Sequence, residues 1–261
     1  MKKPPEKIIG NCRVQEETVG GVFCIFLHPR GESSRKKLIF LHGGAFTSGP
    51  IICHWGMLAR LCENTGISAV MVDYGLLPEH PYPQALNDTL TVYRSLRAEK
   101  SKDEIFLLGD SAGGGLTLSA ALALKDSGEA LPEKLGLLSP WLDLTLNHPD
   151  IETAQKHDQL LTREDLVKAG QAYAGGYDPA HYLLSPINGD YTGLPPTLLL
   201  VGTHEIFLCD CRRFKEKAES AGIALSYSEW KDMFHDWMAL TPALREANQA
   251  VDGIVDFLNQ P

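Results

Sequence analysis

The sequence predicts an α/β protein with a mostly parallel central sheet and helices on both faces. Short apolar, β-branched runs alternate along the chain with stretches of helical periodicity, an order typical of parallel strands joined by helical crossovers. The 261 residues and 44% hydrophobic content are enough for one large core. We therefore expect a single domain over residues 1–261.

The predicted strands and helices follow one another along the chain. Apolar residues recur at helical spacing at Leu86, Leu90, Tyr93 and Leu96, and again between residues 244 and 258; a further helix opens at residue 112. The strands predicted from apolar runs are residues 22–27, 37–41, 69–72, 105–108, 135–138, 197–201 and 225–229.

One segment, from about residue 147 to 186, contains no predicted strand. Within it, Thr162 and Asp165 have the spacing of a helix capping box. A helical insertion between two strands usually lies over the carboxyl edge of the sheet. We therefore predict a small helical cap here, with Tyr173, Tyr177 and Tyr182 as candidates for its lining or its packing.

Charge and composition argue against several classes of partner. A net charge of −9 and a pI near 5.5 offer no basic stripe to nucleic acid and no attraction to anionic lipid. No apolar run approaches the ~20 residues of a membrane span, and residues 1–10 lack the apolar core of a secretory signal. The cysteines have no framework spacing, and Cys209 and Cys211 form a lone C-x-C pair, so we expect reduced thiols in a cytoplasmic protein and no metal site.

The candidate nucleophile is Ser111, at the centre of a G-x-S-x-G motif in residues 109–113. The motif directly follows the predicted strand 105–108 and directly precedes a helix, which is the context in which it forms a sharp strand-to-helix turn. Such a turn exposes the hydroxyl, and the helix N-terminus favours an oxyanion. We interpret Ser111 as a nucleophile rather than as an ordinary helix cap.

A serine nucleophile needs a base and an acid, which in this arrangement follow it along the chain. Of the later histidines only His235 lies beyond the last predicted strand, so it is the candidate base. The acid is expected after strand 197–201. Glu205 lies close to the strand end and is preferred; Asp210, which falls within the next predicted helix, is the alternative.

A glycine-rich loop, residues 42–46, follows the predicted strand 37–41. Consecutive glycines let backbone N–H groups approach a tetrahedral intermediate, and the N–H of the residue after the nucleophile would add a further donor. We expect His42 to fix the loop by hydrogen bonding rather than to act as an acid or base. The candidate oxyanion-hole donors are Gly43, Gly44, Ala45 and Ala112.

Together these motifs resemble the hormone-sensitive lipase family of bacterial carboxylesterases, within the α/β-hydrolase superfamily. HGGA at 42–45 resembles the HGGG loop, GDSAGG at 109–114 matches the nucleophile box residue for residue, and DYGLLPEHPYP at 73–83 resembles DYRLAPEHPFP. The resemblance covers about residues 37–240. It implies an α/β-hydrolase fold with N–H donors from Gly44, Ala45 and Ala112.

The chain also departs from the family pattern. Ala45 stands where the family has glycine, Gly75 where it usually has arginine, and Glu205 where aspartate is more common. Family members commonly carry a helical cap at the N-terminus, but only 41 residues precede His42. We therefore expect a reduced cap and a more open pocket.

The predicted function is that of a serine carboxylesterase acting on short-chain acyl esters through an acyl-enzyme. Ser111 would attack the ester carbonyl while His235 takes its proton, and water would then release the acid. No metal or organic cofactor is required. An arylformamidase-type hydrolase and a non-catalytic ligand receptor on the same fold remain alternatives, although a receptor would typically lack the base. By resemblance, strand 225–229 and its neighbouring helix are also a candidate homodimer interface.

Overall fold

The computed structural model describes residues 3–31, 34–99 and 103–260. The strands in this part of the chain are β1 (Arg13–Val19), β2 (Val22–His28), β3 (Lys36–Leu41), β4 (Ser68–Val72), β5 (Glu104–Asp110), β6 (Lys134–Leu138), β7 (Thr197–Gly202) and β8 (Leu225–Trp230). The helices are α1 (Ile52–Thr65), α2 (Gln84–Glu99), α3 (Ser111–Asp126), α4 (Ile151–Gln155), α5 (Arg163–Ala174), α6 (Leu208–Ser220) and α7 (Arg245–Asn259). Short 3-10 helices occupy Pro186–Asn188 and Trp237–Leu240.

The strands form one sheet in the order β1-β2-β4-β3-β5-β6-β7-β8. The strands from β3 to β8 run parallel, whereas β1 and β2 pair antiparallel at one end of the sheet. The seven strands expected from the sequence are confirmed, and β1 is an additional one. Because parallel strands end at the same edge, the loops that follow β3, β5, β7 and β8 meet there.

Alternate residues of each strand face two separate apolar layers, as the pleat of a strand requires. In β3, Ile39 and Leu41 belong to the layer formed with α2, α3 and α6. Leu38 and Phe40 belong to the opposite layer, which includes apolar residues of α1 and α7. The expectation of a mostly parallel sheet covered by helices on both faces is therefore confirmed.

The segment between β6 and β7 contains α4, α5 and the 3-10 helix Pro186–Asn188. The helix start expected at Thr162 is confirmed, because its Oγ1 accepts the N–H of Asp165 and donates to the carboxylate of Asp165. The second bond of a capping box, from the N–H of Thr162 to that carboxylate, is not formed. Ahead of His42, the described residues form β1, β2, β3 and turns, with no helix among them. Among the described residues, no helix has the length and apolar character needed to cross a bilayer.

Candidate active site

Ser111 lies at the sharp turn between β5 and α3. Its φ of 51° is a left-handed conformation that is rare outside glycine, and such a conformation costs about 1–3 kcal/mol. The turn needs glycine at position 113, because a Cβ atom there would collide with the backbone carbonyl of Leu41 at the end of β3. The serine therefore stands at the carboxyl edge of the sheet, where α3 begins.

His235 lies in the loop between β8 and the 3-10 helix Trp237–Leu240. Its Nε2 is 2.9 Å from Oγ of Ser111, although 124 positions separate the two residues in sequence. The ring is buried, and Phe207 packs against it edge-on with centroids 5.3 Å apart. The imidazole is thus within hydrogen-bond reach of the serine hydroxyl.

Glu205 lies in the loop after β7 and is fully buried. Its Oε2 is 2.9 Å from Nδ1 of His235. The other oxygen, Oε1, accepts hydrogen bonds from the N–H of Gly202 at 2.5 Å and from the hydroxyl of Ser139 at 2.7 Å. Three hydrogen bonds therefore hold this carboxylate in place, and through Nδ1 it directs Nε2 towards Ser111.

Asp210, the alternative acid, lies in the first turn of α6. In the described part of the chain neither of its carboxylate oxygens has a hydrogen-bond partner. Burial, together with the nearby charge of Asp143, raises the pKa of Asp210 to about 7. Of the two candidates it is Glu205 that contacts the imidazole.

The glycine loop, residues 42–46, lies against the nucleophile: a Cβ atom on Gly43 would be 2.9 Å from Cβ of Ser111. One expectation needs correction. The N–H of Gly43 donates to Oδ1 of Asp110 at 2.9 Å, so it is not available to an oxyanion. The N–H groups of Gly44 and Ala45 have no acceptor among the described residues. Ala112 is in the first turn of α3, where N–H groups lack an intrahelical partner.

The glycine loop is held from two sides. Ala45 and Phe46 are left-handed, with φ of 51° and 60°. The carbonyl of Phe46 accepts the N–H of Leu77 at 2.8 Å. The ring of Phe46 stacks on that of Tyr173 with centroids 3.6 Å apart. These contacts fix the backbone that carries the candidate donors.

His42 lies at the start of the glycine loop and is buried against Tyr74, whose hydroxyl donates to the carbonyl of His42 at 2.5 Å. The two rings stack with centroids 4.5 Å apart. Burial lowers the pKa of His42 to about 4, so the ring is neutral near pH 7. This geometry agrees with a residue that fixes the loop.

A buried pair, His54 and Asp110, was not recognised from the sequence. Nε2 of His54 is 3.0 Å from Oδ2 of Asp110, and Nδ1 of His54 accepts the N–H of Ile51 at 3.1 Å. Burial disfavours both charges, but their mutual attraction outweighs it, so the pKa of His54 is raised and that of Asp110 is lowered. The pair therefore supports the acceptor that holds Gly43.

Asp236 was also not singled out, although it follows the candidate base directly. Its Oδ2 is 3.0 Å from Nε2 of His235, the atom that also contacts Ser111. Burial opposes a charge on His235, but Asp236 and Glu205 outweigh it and hold the pKa of His235 well above its usual value. Burial raises the pKa of Asp236 and the contact with His235 opposes that shift, so the protonation of the two side chains is linked. The only feature of the sequence that could have pointed to Asp236 is its position directly after His235.

Comparison with known proteins gives consistent results. Residues 38–239 match the model of a protein family described as having an alpha/beta hydrolase fold. An esterase from Acinetobacter venetianus is 39% identical over 232 residues, which are 87% of this chain and 76% of that protein. An acetyl-hydrolase from Streptomyces hygroscopicus is 35% identical over 242 residues, which are 92% and 81% of the two chains.

Solved structures agree with the sequence relatives. An esterase from the bacterial hormone-sensitive lipase (HSL) family superposes with a TM-score of 0.92 at 33% identity, covering 98% of this chain and 86% of that one. The esterase EstE5, soaked with p-nitrophenyl butyrate, superposes with a TM-score of 0.90 at 32% identity, covering 98% and 85%. The chain therefore belongs to this α/β-hydrolase family and is a carboxylic ester hydrolase of the hormone-sensitive lipase type.

Proposed function

We propose that the chain is a serine carboxylesterase that hydrolyses short-chain acyl esters through Ser111, His235 and Glu205. The observation that carries the proposal is one continuous line of contacts. Oγ of Ser111 is 2.9 Å from Nε2 of His235, and Nδ1 of the same ring is 2.9 Å from Oε2 of Glu205. This is the order nucleophile, base, acid that activates a serine.

In the first half of the reaction, Oγ of Ser111 attacks the ester carbonyl and its proton passes to Nε2 of His235. Glu205 accepts Nδ1–H throughout and stabilises the imidazolium. The N–H groups of Gly44, Ala45 and Ala112 stabilise the negative carbonyl oxygen of the tetrahedral intermediate. Collapse of the intermediate breaks the ester bond, and Nε2–H protonates the departing alcohol.

In the second half, a water molecule attacks the acyl group on Ser111. His235 takes the water proton and then returns a proton to Oγ as the acid leaves, so that the enzyme is regenerated. With the ester and one water molecule as the reactants, both steps balance in atoms and protons.

The preference for short acyl groups is supported by aromatic packing around the site. Phe46, Trp141 and Phe207 are all buried and form a continuous row, with centroids 6.2 Å apart for the first pair and 6.1 Å for the second. Phe207 in turn contacts His235. We infer that this row closes one side of the acyl site and thereby favours short acyl groups.

The test is a chain-length series of p-nitrophenyl esters from acetate to decanoate, measured for wild type, Ser111→Ala and His235→Ala. We expect the short esters to be preferred and both variants to lose at least about 10³-fold in kcat. His181→Ala, which changes an exposed histidine, is the matched control. Retained hydrolysis in both active-site variants would remove the triad. An aryl formamide in the same series tests the alternative acyl bond.

We also propose that residues 147–186 form a small cap on a single α/β-hydrolase domain. Three contacts support the proposal: Phe46 stacks on Tyr173, the carbonyl of Tyr173 accepts the N–H of Tyr82, and Asp158 accepts the N–H of Ile206. The cap thus touches the glycine loop, the 73–83 segment and the loop that carries the acid. Truncation of 147–186 should change the chain-length profile if the cap borders the substrate.

A homodimer through β8 is our proposal for the assembly. β8 is the last strand of the sheet and leaves one backbone edge without a strand partner in the described chain. Light scattering coupled to size-exclusion chromatography measures the mass directly, and Ser228→Pro on this edge should yield the monomer.

A cytoplasmic location is proposed from the thiols. The six cysteines are all free, and five of them are buried. Fractionation of expressing cells checks this.

A further inference from the structure

The imidazole of His235 lies between two carboxylates rather than against one. Glu205 contacts Nδ1 at 2.9 Å, and Oδ2 of Asp236 contacts Nε2 at 3.0 Å. Nε2 is also the atom that must accept the proton of Ser111, at 2.9 Å. Ser111 and Asp236 therefore both contact Nε2 of His235. When Nε2 carries a proton, it cannot accept the proton of Ser111.

Asp236 is held in place by an unusual backbone. Its φ is 56°, a left-handed conformation that aspartate and asparagine tolerate better than most residues. Its N–H lies 3.4 Å from the hydroxyl of Ser139, which also binds Glu205. Among the described residues, Oδ1 of Asp236 is buried without a hydrogen-bond partner. The side chain as a whole is 20% exposed, but a buried carboxylate oxygen without a hydrogen bond is costly, so a role in packing does not explain it.

We propose that Asp236 is a positioning residue that competes with Ser111 for Nε2 of His235 and thereby sets the pH range in which the base can act. When both carboxylates are ionised, the proton on Nε2 is shared with Asp236 and the ring stays an imidazolium. When that proton is lost, the Nε2 lone pair turns to the hydroxyl of Ser111. The proposal rests on the proposed function, because it needs His235 to be the base.

Several elements place titratable groups around this proton. Their titratable groups are Glu205 after β7, Cys211 in α6 beside Glu205, Asp110 at the end of β5, His54 in α1 and Asp236 itself. Three carboxyl groups thus face two imidazoles. Removing the carboxylate nearest to Nε2 takes away attraction for the imidazolium, so the base should become neutral at a lower pH.

The experiment is the pH dependence of kcat/KM for p-nitrophenyl acetate, from about pH 5 to 9, in wild type, Asp236→Asn and Asp236→Gly. Asparagine and glycine both accept the left-handed backbone. The matched control is Asp232→Asn, because Asp232 lies in the same loop with φ of 59° but its carboxylate is exposed and contacts His204 at 3.5 Å. Inactivation of Ser111 by phenylmethanesulfonyl fluoride over the same range gives a substrate-independent reading.

We expect the acidic limb of the profile to move down by about one to two pH units in both Asp236 variants and to stay in place in Asp232→Asn. Near the acidic end, the variants should therefore be about tenfold or more faster than wild type, and the inactivation rate should shift in parallel. A merely structural role cannot raise activity at low pH.

Two results would overturn the proposal. One is a profile for Asp236→Asn and Asp236→Gly that coincides with wild type; the other is a loss by the same factor at every pH in both variants. The proposed function fails separately, through hydrolysis retained by Ser111→Ala. Variant folding is checked by circular dichroism before the kinetics, and the glycine variant covers the case in which the asparagine variant does not fold.

Discussion

At the scale of single residues, Asp110 links two parts of the site that are distant in sequence. One oxygen accepts the N–H of Gly43 at 2.9 Å and the other contacts Nε2 of His54 at 3.0 Å. These side chains are buried, so the carboxylate depends on the hydrogen bonds that it accepts from Gly43 and His54. The glycine loop that carries the candidate oxyanion donors is thereby anchored to α1.

Replacing His54 by phenylalanine tests this anchor. The change keeps an aromatic ring but leaves the charge of Asp110 unpaired, and we expect the free energy of unfolding to fall by about 3–5 kcal/mol. We also expect kcat to fall about tenfold or more, because the loop loses its fixed acceptor. Urea unfolding and steady-state kinetics measure the two effects. His181→Phe, on the surface, should change neither; an unaltered kcat in folded His54→Phe would show that the pair does not support catalysis.

Sequence reasoning reached the three residues of the proposed triad but not their supports. Ser111 stands in a recognisable motif, and chain order directs attention to His235 and Glu205. The supporting roles of Ser139 and His54 are not visible in the sequence, because they depend on contacts with residues 66 and 56 positions away. Gly43 was wrongly expected to be an oxyanion-hole donor for the same reason. Nothing in the glycine motif shows that its N–H is already bonded to Asp110.

At the scale of elements, the expected strands β2 to β7 each contain a continuous run of at least four buried residues, which the sequence shows as an apolar run. β8 differs, because its residues alternate between partly buried and exposed. β1 was missed because most of its residues are exposed and polar, as befits an edge strand that shows only one face to the core. α1 was missed for the opposite reason. The buried residues of α1 lie around much of the helix and Gly56 breaks their spacing, so the sequence shows no apolar stripe. In addition, no acidic residue occupies the first turn. The helix therefore shows neither a clean apolar stripe nor the usual start signal.

Residues 147–186 are joined through Asp158 to the loop after β7, which contains Glu205. Its Oδ2 accepts the N–H of Ile206 at 2.9 Å, while Oδ1 accepts the N–H groups of Leu160 and Leu161 at 2.8 and 2.9 Å. Ile206 directly follows Glu205 in the chain. Asp158 therefore couples the turn between α4 and α5 to the backbone beside Glu205.

We predict that Asp158→Ala lowers the free energy of unfolding by about 1–3 kcal/mol, because three N–H groups lose their acceptor. Since the acid loop is loosened, kcat should also fall several-fold for every ester tested. Asp165→Asn is the matched control: it alters an exposed carboxylate in the same segment, at the start of α5. Thermal unfolding and a chain-length series provide the measurements, and equal effects of the two variants on kcat would argue against coupling through Ile206.

At the scale of the whole molecule, the parallel sheet is what assembles the site. Ser111 follows β5, Glu205 follows β7 and His235 follows β8, and the sheet brings these carboxyl ends to one edge. The contacts between them span 124 and 30 positions in the sequence. The geometry of the site therefore depends on the folded sheet. A charge buried near this edge lowers the free energy of unfolding of the whole domain.

Asp210 is such a charge. It is fully buried in α6, and burial with the nearby Asp143 raises its pKa to about 7 from the usual 3.8. The folded protein thus binds this proton more tightly than the unfolded chain does. By linkage, stability contributed by protonated Asp210 is present at low pH and declines as pH rises from about 4 to about 7, above which it is lost. The difference amounts to roughly 4 kcal/mol as an upper limit.

Asp210→Asn should remove the loss of stability that accompanies ionisation of Asp210 as the pH rises. Asparagine has nearly the same shape but never ionises, so we expect the free energy of unfolding at about pH 8 to rise by up to several kcal/mol, with little change below about pH 4. Guanidinium unfolding at a series of pH values measures both. Asp256→Asn, an exposed site in α7, is the control and should shift the curve by less than about 0.5 kcal/mol at any pH. An Asp210→Asn curve parallel to that of wild type from pH 4 to 8 would mean that Asp210 keeps its charge in the fold at no cost.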